Sequence, residues 1–64
     1  MVNYKELKVG DELIFHWDDF DGSGEKECTV VDILEDSAVA NHIDGIYEER
    51  YWIDEDTQHM FDKR

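Results

Sequence analysis

The sequence predicts an all-β fold in which five short strands close into one small barrel. Segments rich in β-branched and aromatic residues recur at intervals of roughly 8–12 residues, with turn-forming residues between them, as is typical of small β domains. The chain has no proline, so nothing interrupts a strand from within. For 64 residues, we expect a barrel because closure removes the exposed strand edges of an open sheet. Residues 1–64 are predicted to form a single domain.

The first half of the chain begins with a short turn and a strand. Tyr4 and Leu7 are spaced by three residues, which predicts one helical turn. After Gly10, large apolar side chains alternate with other residues over Glu12–Trp17, the period-2 pattern of a half-buried strand. The apolar face of this strand is Leu13, Phe15 and Trp17.

The next segment, Asp18–Glu27, is acidic and contains two glycines, and predicts a long connecting loop. The β-branched residues of Cys28–Leu34 predict a second strand. Because this strand has apolar residues on both faces, we expect a bulge near Asp32 that bends it, so that its halves serve two sheets.

The second half of the chain predicts three shorter strands and two turns. In chain order these are a strand over Ser37–Ile43, a tight Asp44-Gly45 turn, a strand within Ile46–Ile53, a 3₁₀ turn within Asp54–Gln58, and a closing strand over His59–Phe61. The residues 62–64 are predicted to be a frayed tail.

This order of parts resembles the SH3-like small barrels. The matching pieces are the turn and strand start Val9-Gly10-Asp11-Glu12-Leu13, a long first loop, a bent second strand and a 3₁₀ turn before a short last strand, over about residues 7–61. The resemblance implies binding of peptides, methylated lysines, nucleic acids or other proteins. The aromatic stripe of signalling SH3 domains is absent, which disfavours proline-rich peptides. The chain is also similar in length and acidity to small phage-encoded proteins.

Charge narrows the possible partners. The chain has 18 Asp and Glu against 6 Lys and Arg, and a formal net charge of -12. A domain of this length is about 28 Å across, and DNA of that length carries about 16 phosphates, so the two charges are comparable. Direct binding of nucleic acid or an anionic membrane is excluded, because both require a basic surface. We expect a soluble monomer or weak homo-oligomer.

The single cysteine, Cys28, cannot form an intrachain disulfide and fits a reducing compartment. With no apolar run of about 18 residues and no signal peptide, the sequence predicts a cytoplasmic protein. Cys28 is expected to be a small core residue, because neighbouring carboxylates raise a thiol's pKa. Histidine and cysteine spacing predicts no metal site.

One acidic segment resembles a calcium loop. Asp19, Asp21 and Ser23 precede Gly24 at the spacing that opens an EF-hand, but Val30 takes the position of its bidentate glutamate. Asp19, Asp21 and Ser23 are therefore a weak calcium candidate, and no cofactor is predicted. A barrel this small has little room for a substrate pocket of ~300 Å³, so we expect a protein that is not an enzyme.

The sequence instead predicts binding of a basic protein surface, with exposed aromatic residues as anchors and carboxylates as steering charges. The candidate partner-binding residues are Asp18, Asp19, Asp21, Glu48, Glu49, Tyr51, Trp52, Asp54, Glu55 and Asp56. The favoured hypothesis is an inhibitor or modulator that occupies the nucleic-acid-binding site of its partner. A DNA mimic in phage counter-defence, directed at a restriction, CRISPR or repair enzyme, would have these properties. The alternative is a non-enzymatic interaction module that binds a peptide or protein subunit through an aromatic patch.

Overall fold

A computed structural model describes residues 1–64 as one antiparallel sheet of five strands. The strands are β1 (Glu12–Asp19), β2 (Gly22–Ile33), β3 (Ala38–Asp44), β4 (Tyr47–Ile53) and β5 (Phe61–Lys63). Two 3₁₀ turns, Tyr4–Glu6 and Gln58–Met60, are the only helical elements. The strands lie side by side in the order β4-β3-β2-β1-β5. The predicted all-β class, the number of strands and the N-terminal helical turn are confirmed.

The predicted barrel closure is wrong, because the sheet is open and β4 and β5 form its two edges. β5 has only three residues, which pair with β1 on one side and with no strand on the other. The N-terminal segment covers β5 instead, since the Val2 N–H donates to the Phe61 carbonyl at 2.9 Å. Val2 and Leu7 are buried in the core beside it.

The predicted long loop between the first two strands is also wrong. β1 and β2 form a hairpin that is paired as far as Asp19 and Gly22, with a two-residue turn between them. Trp17 lies opposite Gly24, and its indole fills the space that a glycine leaves on the face of the hairpin. Cross-strand pairing and this packing override the turn preference of the acidic segment.

The predicted bulge in β2 is confirmed between Val30 and Asp32, where the register against β3 shifts by one residue. Val31 is the extra residue of the bulge. Beyond it, Asp32 lies opposite Val39 and no longer on the face of Val30. The bent strand remains in one sheet, so the prediction that its two halves serve two sheets is wrong.

The core lies on one face of the sheet. Its buried residues are Val2, Leu7, Leu13, Cys28, Val30, Ala38, Ala40, Ile53 and Phe61. Phe15 and Tyr51 pack against this core, with ring centroids 4.5 Å apart. We call this the inner face and the opposite one the outer face.

The C-terminal boundaries differ from the predicted ones. Residues 58–60 form the 3₁₀ turn, and the last strand begins at Phe61 and not at His59. The predicted frayed tail is paired, because Leu13 lies opposite Lys63 and the Arg64 N–H donates to the Glu12 carbonyl at 3.0 Å. No helix in the structure is long and apolar enough to cross a bilayer.

Candidate functional site

An apolar patch lies on the outer face, where a sheet covered on one side would usually expose polar residues. In β4, Tyr51 packs against the core and Ile53 belongs to it. Since neighbouring side chains in a strand point to opposite faces, Trp52 points outward. This confirms the prediction that Tyr51 and Trp52 point to opposite faces, and it leaves Trp52 as the exposed aromatic residue on the outer face of this end of β4.

Three apolar residues accompany Trp52, and with it form what we call the outer-face patch: Val31, Leu34, Val39 and Trp52. Val39 lies directly opposite Trp52 in the β3–β4 pair and is 5% exposed, although it is outside the core cluster. Val31, Leu34 and Trp52 remain 41%, 44% and 54% exposed. The four side chains line a shallow depression of about 380 Å³, together with Asp32, Asn41 and Arg50.

Acidic residues border this patch at one end of the sheet. Ala38 pairs with Ile53, so the β2–β3 turn and the segment after β4 leave the sheet at the same end. We call this the acidic end; its residues are Asp32, Glu35, Asp36, Asp54, Glu55 and Asp56. None of the six forms an ion pair. Asp54, Glu55 and Asp56 were predicted as site residues, whereas Asp32, Glu35 and Asp36 were not.

The other predicted acids lie at the opposite end of the sheet. Asp18, Asp19 and Asp21 are exposed at the tip of the β1–β2 hairpin, and Glu48 is near the start of β4. Glu48 and Asp54 are six residues apart along the chain of β4, which separates them by about 20 Å at roughly 3.3 Å per residue. The eight acidic residues among the predicted site residues therefore form two separate acidic regions and not one surface.

Glu48 and Glu49 already have partners within the protein. Glu48 lies 3.4 Å from the Arg50 guanidinium. Glu49 accepts hydrogen bonds from the Lys26 ammonium at 2.9 Å and from the Tyr51 hydroxyl. The Tyr51 hydrogen bond, and then that of Lys26, lower the pKa of Glu49. Burial, and then the hydrogen bond to Glu49, raise the pKa of Tyr51. Glu49 and Tyr51 therefore bind each other on the inner face of β4, and Glu48 binds Arg50 on the outer face.

The residues considered for metal binding or catalysis do not assemble into a site. Burial raises the pKa of Cys28 to about 11, so its thiol is protonated at neutral pH and is a poor nucleophile. No group of three or more His, Cys, Asp or Glu side chains is placed to hold a metal ion. In the weak calcium candidate, the Asp19 carboxylate accepts the Asp21 N–H at 2.8 Å, while Ser23 lies in β2 opposite Asp18.

Sequence reasoning missed Val31, Leu34 and Val39 as site residues. The signal was present in the apolar residues on both faces of Cys28–Leu34, which predicted the bulge. Only the pairing of Asp32 with Val39 shows that the bulge turns Val31 outward beside a buried valine.

Comparison with protein-family models, with curated proteins and with solved structures found no match. The fold and the outer-face patch are therefore the basis for assigning a function.

Proposed function

We propose that the protein is a non-enzymatic binding domain that holds a basic protein partner on its outer-face patch. The observation that carries this proposal is Trp52, which is 54% exposed above the buried Val39 and beside two other half-exposed apolar side chains. An aromatic residue of this kind is the usual anchor of a protein interface. The bulged second strand and the 3₁₀ turn before the last strand also support our placing the chain near the SH3-like small barrels in layout.

The charges around the patch select the partner. The acidic end contributes six carboxylates without an ion pair, and they lie next to the uncharged anchor Trp52. The acidic end would attract a basic surface, and the outer-face patch would then bind it. The carboxylates therefore steer the partner, and Trp52 anchors it. Acidic proteins and nucleic acids would be repelled by the net charge of -12.

The test is capture of partners from a lysate by the immobilised domain and its variants, followed by affinity measurement on the purified partner. We expect Trp52→Ala to weaken binding by 2 kcal/mol or more, on the order of a 30-fold change, as for an interface hot spot. Phe20→Ala is the matched control, because Phe20 is a fully exposed aromatic residue at the hairpin tip, outside the patch. Equal affinity of both variants and the original protein would overturn the proposal.

A second function is favoured by the large number of unpaired carboxylates. Seven of the 18 acidic side chains form ion pairs, which leaves eleven without one, in a molecule 33 Å long. Carboxylates at both ends of such a molecule can replace successive phosphates of a duplex. The protein would then be an inhibitor that occupies a nucleic-acid-binding site, as in phage counter-defence.

Charge reversal separates the two functions. For an inhibitor of this kind, Asp18→Lys combined with Asp21→Lys at the hairpin tip should weaken binding as strongly as charge reversal at Glu55 and Asp56. DNA should also compete with the protein for its partner, and the affinity should fall steeply as salt shortens the Debye length to a few Å. A patch-centred interaction is insensitive to the hairpin tip, because that tip lies at the other end of the sheet.

A further inference from the structure

We infer that the partner binds by adding an extended, basic segment as a sixth strand on the free edge of β4. This inference rests on the proposed function and specifies how the partner is held. Strand addition obtains affinity from main-chain hydrogen bonds and specificity from the side chains that alternate along the edge strand. The position of the outer-face patch beside β4 places the anchor of the interface at this edge.

The backbone of β4 offers free hydrogen-bonding groups. β3 and β4 are joined by a two-residue turn, with Asp44 opposite Tyr47, and such a flanking pair exchanges both hydrogen bonds. Pairs then alternate along the ladder, so Glu48, Arg50 and Trp52 direct their N–H and C=O groups away from β3. The Thr57 hydroxyl donates to the Trp52 carbonyl at 2.9 Å, as this alternation requires. No turn, loop or side-chain group bonds to the other outward-directed groups of these three residues.

The opposite edge of the sheet is closed to strand addition. β5 is three residues long, and the Val2 N–H already donates to its Phe61 carbonyl. The N-terminal ammonium also donates to the Asp62 carboxylate. β4 is therefore the long edge that remains open: of its seven residues, five are exposed, one is half-buried and one is buried.

Charge identifies the incoming segment as basic. The outer row of β4 presents Glu48, Arg50 and Trp52, and the acidic end follows directly after the strand. A second copy of the chain would bring a further net charge of -12 and would place its own acidic residues against these. In a segment where lysine or arginine alternates with apolar residues, all the basic side chains can lie on the outer face, where they contact Glu48 and the Trp52 ring while the backbone pairs with β4.

The test measures amide exchange in the labelled protein by NMR, with a synthetic peptide of alternating lysine and valine as the probe. On binding, we expect the N–H groups of Glu48, Arg50 and Trp52 to exchange about tenfold more slowly or better, because they gain hydrogen bonds. The N–H groups of Tyr47, Glu49 and Tyr51 already bond to β3 and should change little. This alternation is specific to strand addition, since a partner seated only on side chains would not produce it.

Two variants at one position separate the backbone from the side chain. Arg50→Pro removes an outward-directed N–H without removing a bond to β3, and should abolish protection. Arg50→Ala keeps this N–H and should retain the protection.

Continued fast exchange at Glu48, Arg50 and Trp52, at a peptide concentration that saturates the change in tryptophan fluorescence, would overturn the inference. No binding of the peptide at all would also overturn it. Protection that arises without peptide and depends on protein concentration would assign the edge to a second copy and would also overturn it. The proposed function fails separately, if Trp52→Ala leaves affinity for the captured partner unchanged.

Discussion

At the scale of the residue, the Tyr51 hydroxyl lowers the pKa of Glu49 on the inner face of β4. It donates to Glu49, and this hydrogen bond is the largest cause of the lowered Glu49 pKa. We expect Tyr51→Phe to raise the Glu49 pKa toward its ordinary value, with the Lys26 contact leaving part of the shift in place. An NMR titration of the side-chain carboxyls measures this directly. Tyr47→Phe is the control, since the exposed Tyr47 makes no hydrogen bond to an acid, and an unchanged Glu49 pKa in Tyr51→Phe would contradict the assignment.

Asp62 gives the protein a specific dependence on acid. Its pKa is lowered by the hydrogen bond from the N-terminal ammonium and, less strongly, by His16, whose Nε2 is 2.8 Å away. A carboxyl with a lowered folded-state pKa stabilises the fold above its unfolded value of about 3.9, and this contribution is lost as pH falls through the folded value. Asp62→Asn should therefore be less stable than the original protein at pH 7, and the difference should shrink to nothing in strong acid.

Urea unfolding at several pH values measures that difference. Asp56→Asn is the control, because Asp56 forms no ion pair and its replacement should give a difference that varies less with pH. If Asp62→Asn lowers the free energy of unfolding by the same amount from pH 7 to strong acid, the ionised Asp62 carboxylate and its bond to the N-terminal ammonium do not stabilise the fold.

At the scale of the element, the β1–β2 hairpin depends on the contact between Trp17 and Gly24. A Cβ added at Gly24 would lie 2.8 Å from Cε2 and Cζ2 of the Trp17 indole, closer than real Cβ contacts. Gly24→Ala should displace the ring and destabilise the protein by about 1–3 kcal/mol, as overpacking does. Tryptophan fluorescence during urea unfolding measures both effects. Ser23→Ala, at the exposed neighbouring position, should change stability by less than about 0.5 kcal/mol; an equal effect of the two substitutions would contradict the packing.

The elements show which parts of the fold local sequence could predict. Strand β1 was predicted because its alternation is strong, and the bulge because Cys28–Leu34 has apolar residues on both faces. The β1–β2 hairpin was not, because Asp18, Asp21 and Gly22 favour turns and the compensating Trp17–Gly24 contact joins residues on two strands. The barrel closure was wrong for a similar reason: the covering of β5 by Val2 is a contact across nearly the whole chain.

At the scale of the molecule, the candidate site was predicted in part. Trp52, Asp54, Glu55 and Asp56 lie where a partner could contact them together, and the alternation of β4 was enough to place Trp52 outward. Asp18, Asp19 and Asp21 were grouped with them by composition alone, and only the sheet order places the hairpin tip at the opposite end. A row of acids along a sequence does not fix a surface until the strand directions are known.

The charge of the whole molecule predicts how salt affects its stability. A net charge of -12 repels itself across a molecule 33 Å long, a distance close to the Debye length of about 30 Å at 0.01 M salt. At 1 M salt the Debye length is about 3 Å, which screens this repulsion. The exposed ion pairs such as Lys26–Glu49 weaken at the same time, but exposed pairs of this kind contribute little to stability. The melting temperature should therefore rise with sodium chloride. Glu55→Lys combined with Asp56→Lys changes the net charge from -12 to -8 and should therefore reduce the salt-induced rise in melting temperature. A melting temperature that falls with salt would show that the ion pairs, and not the repulsion among unpaired carboxylates, dominate the electrostatic stability.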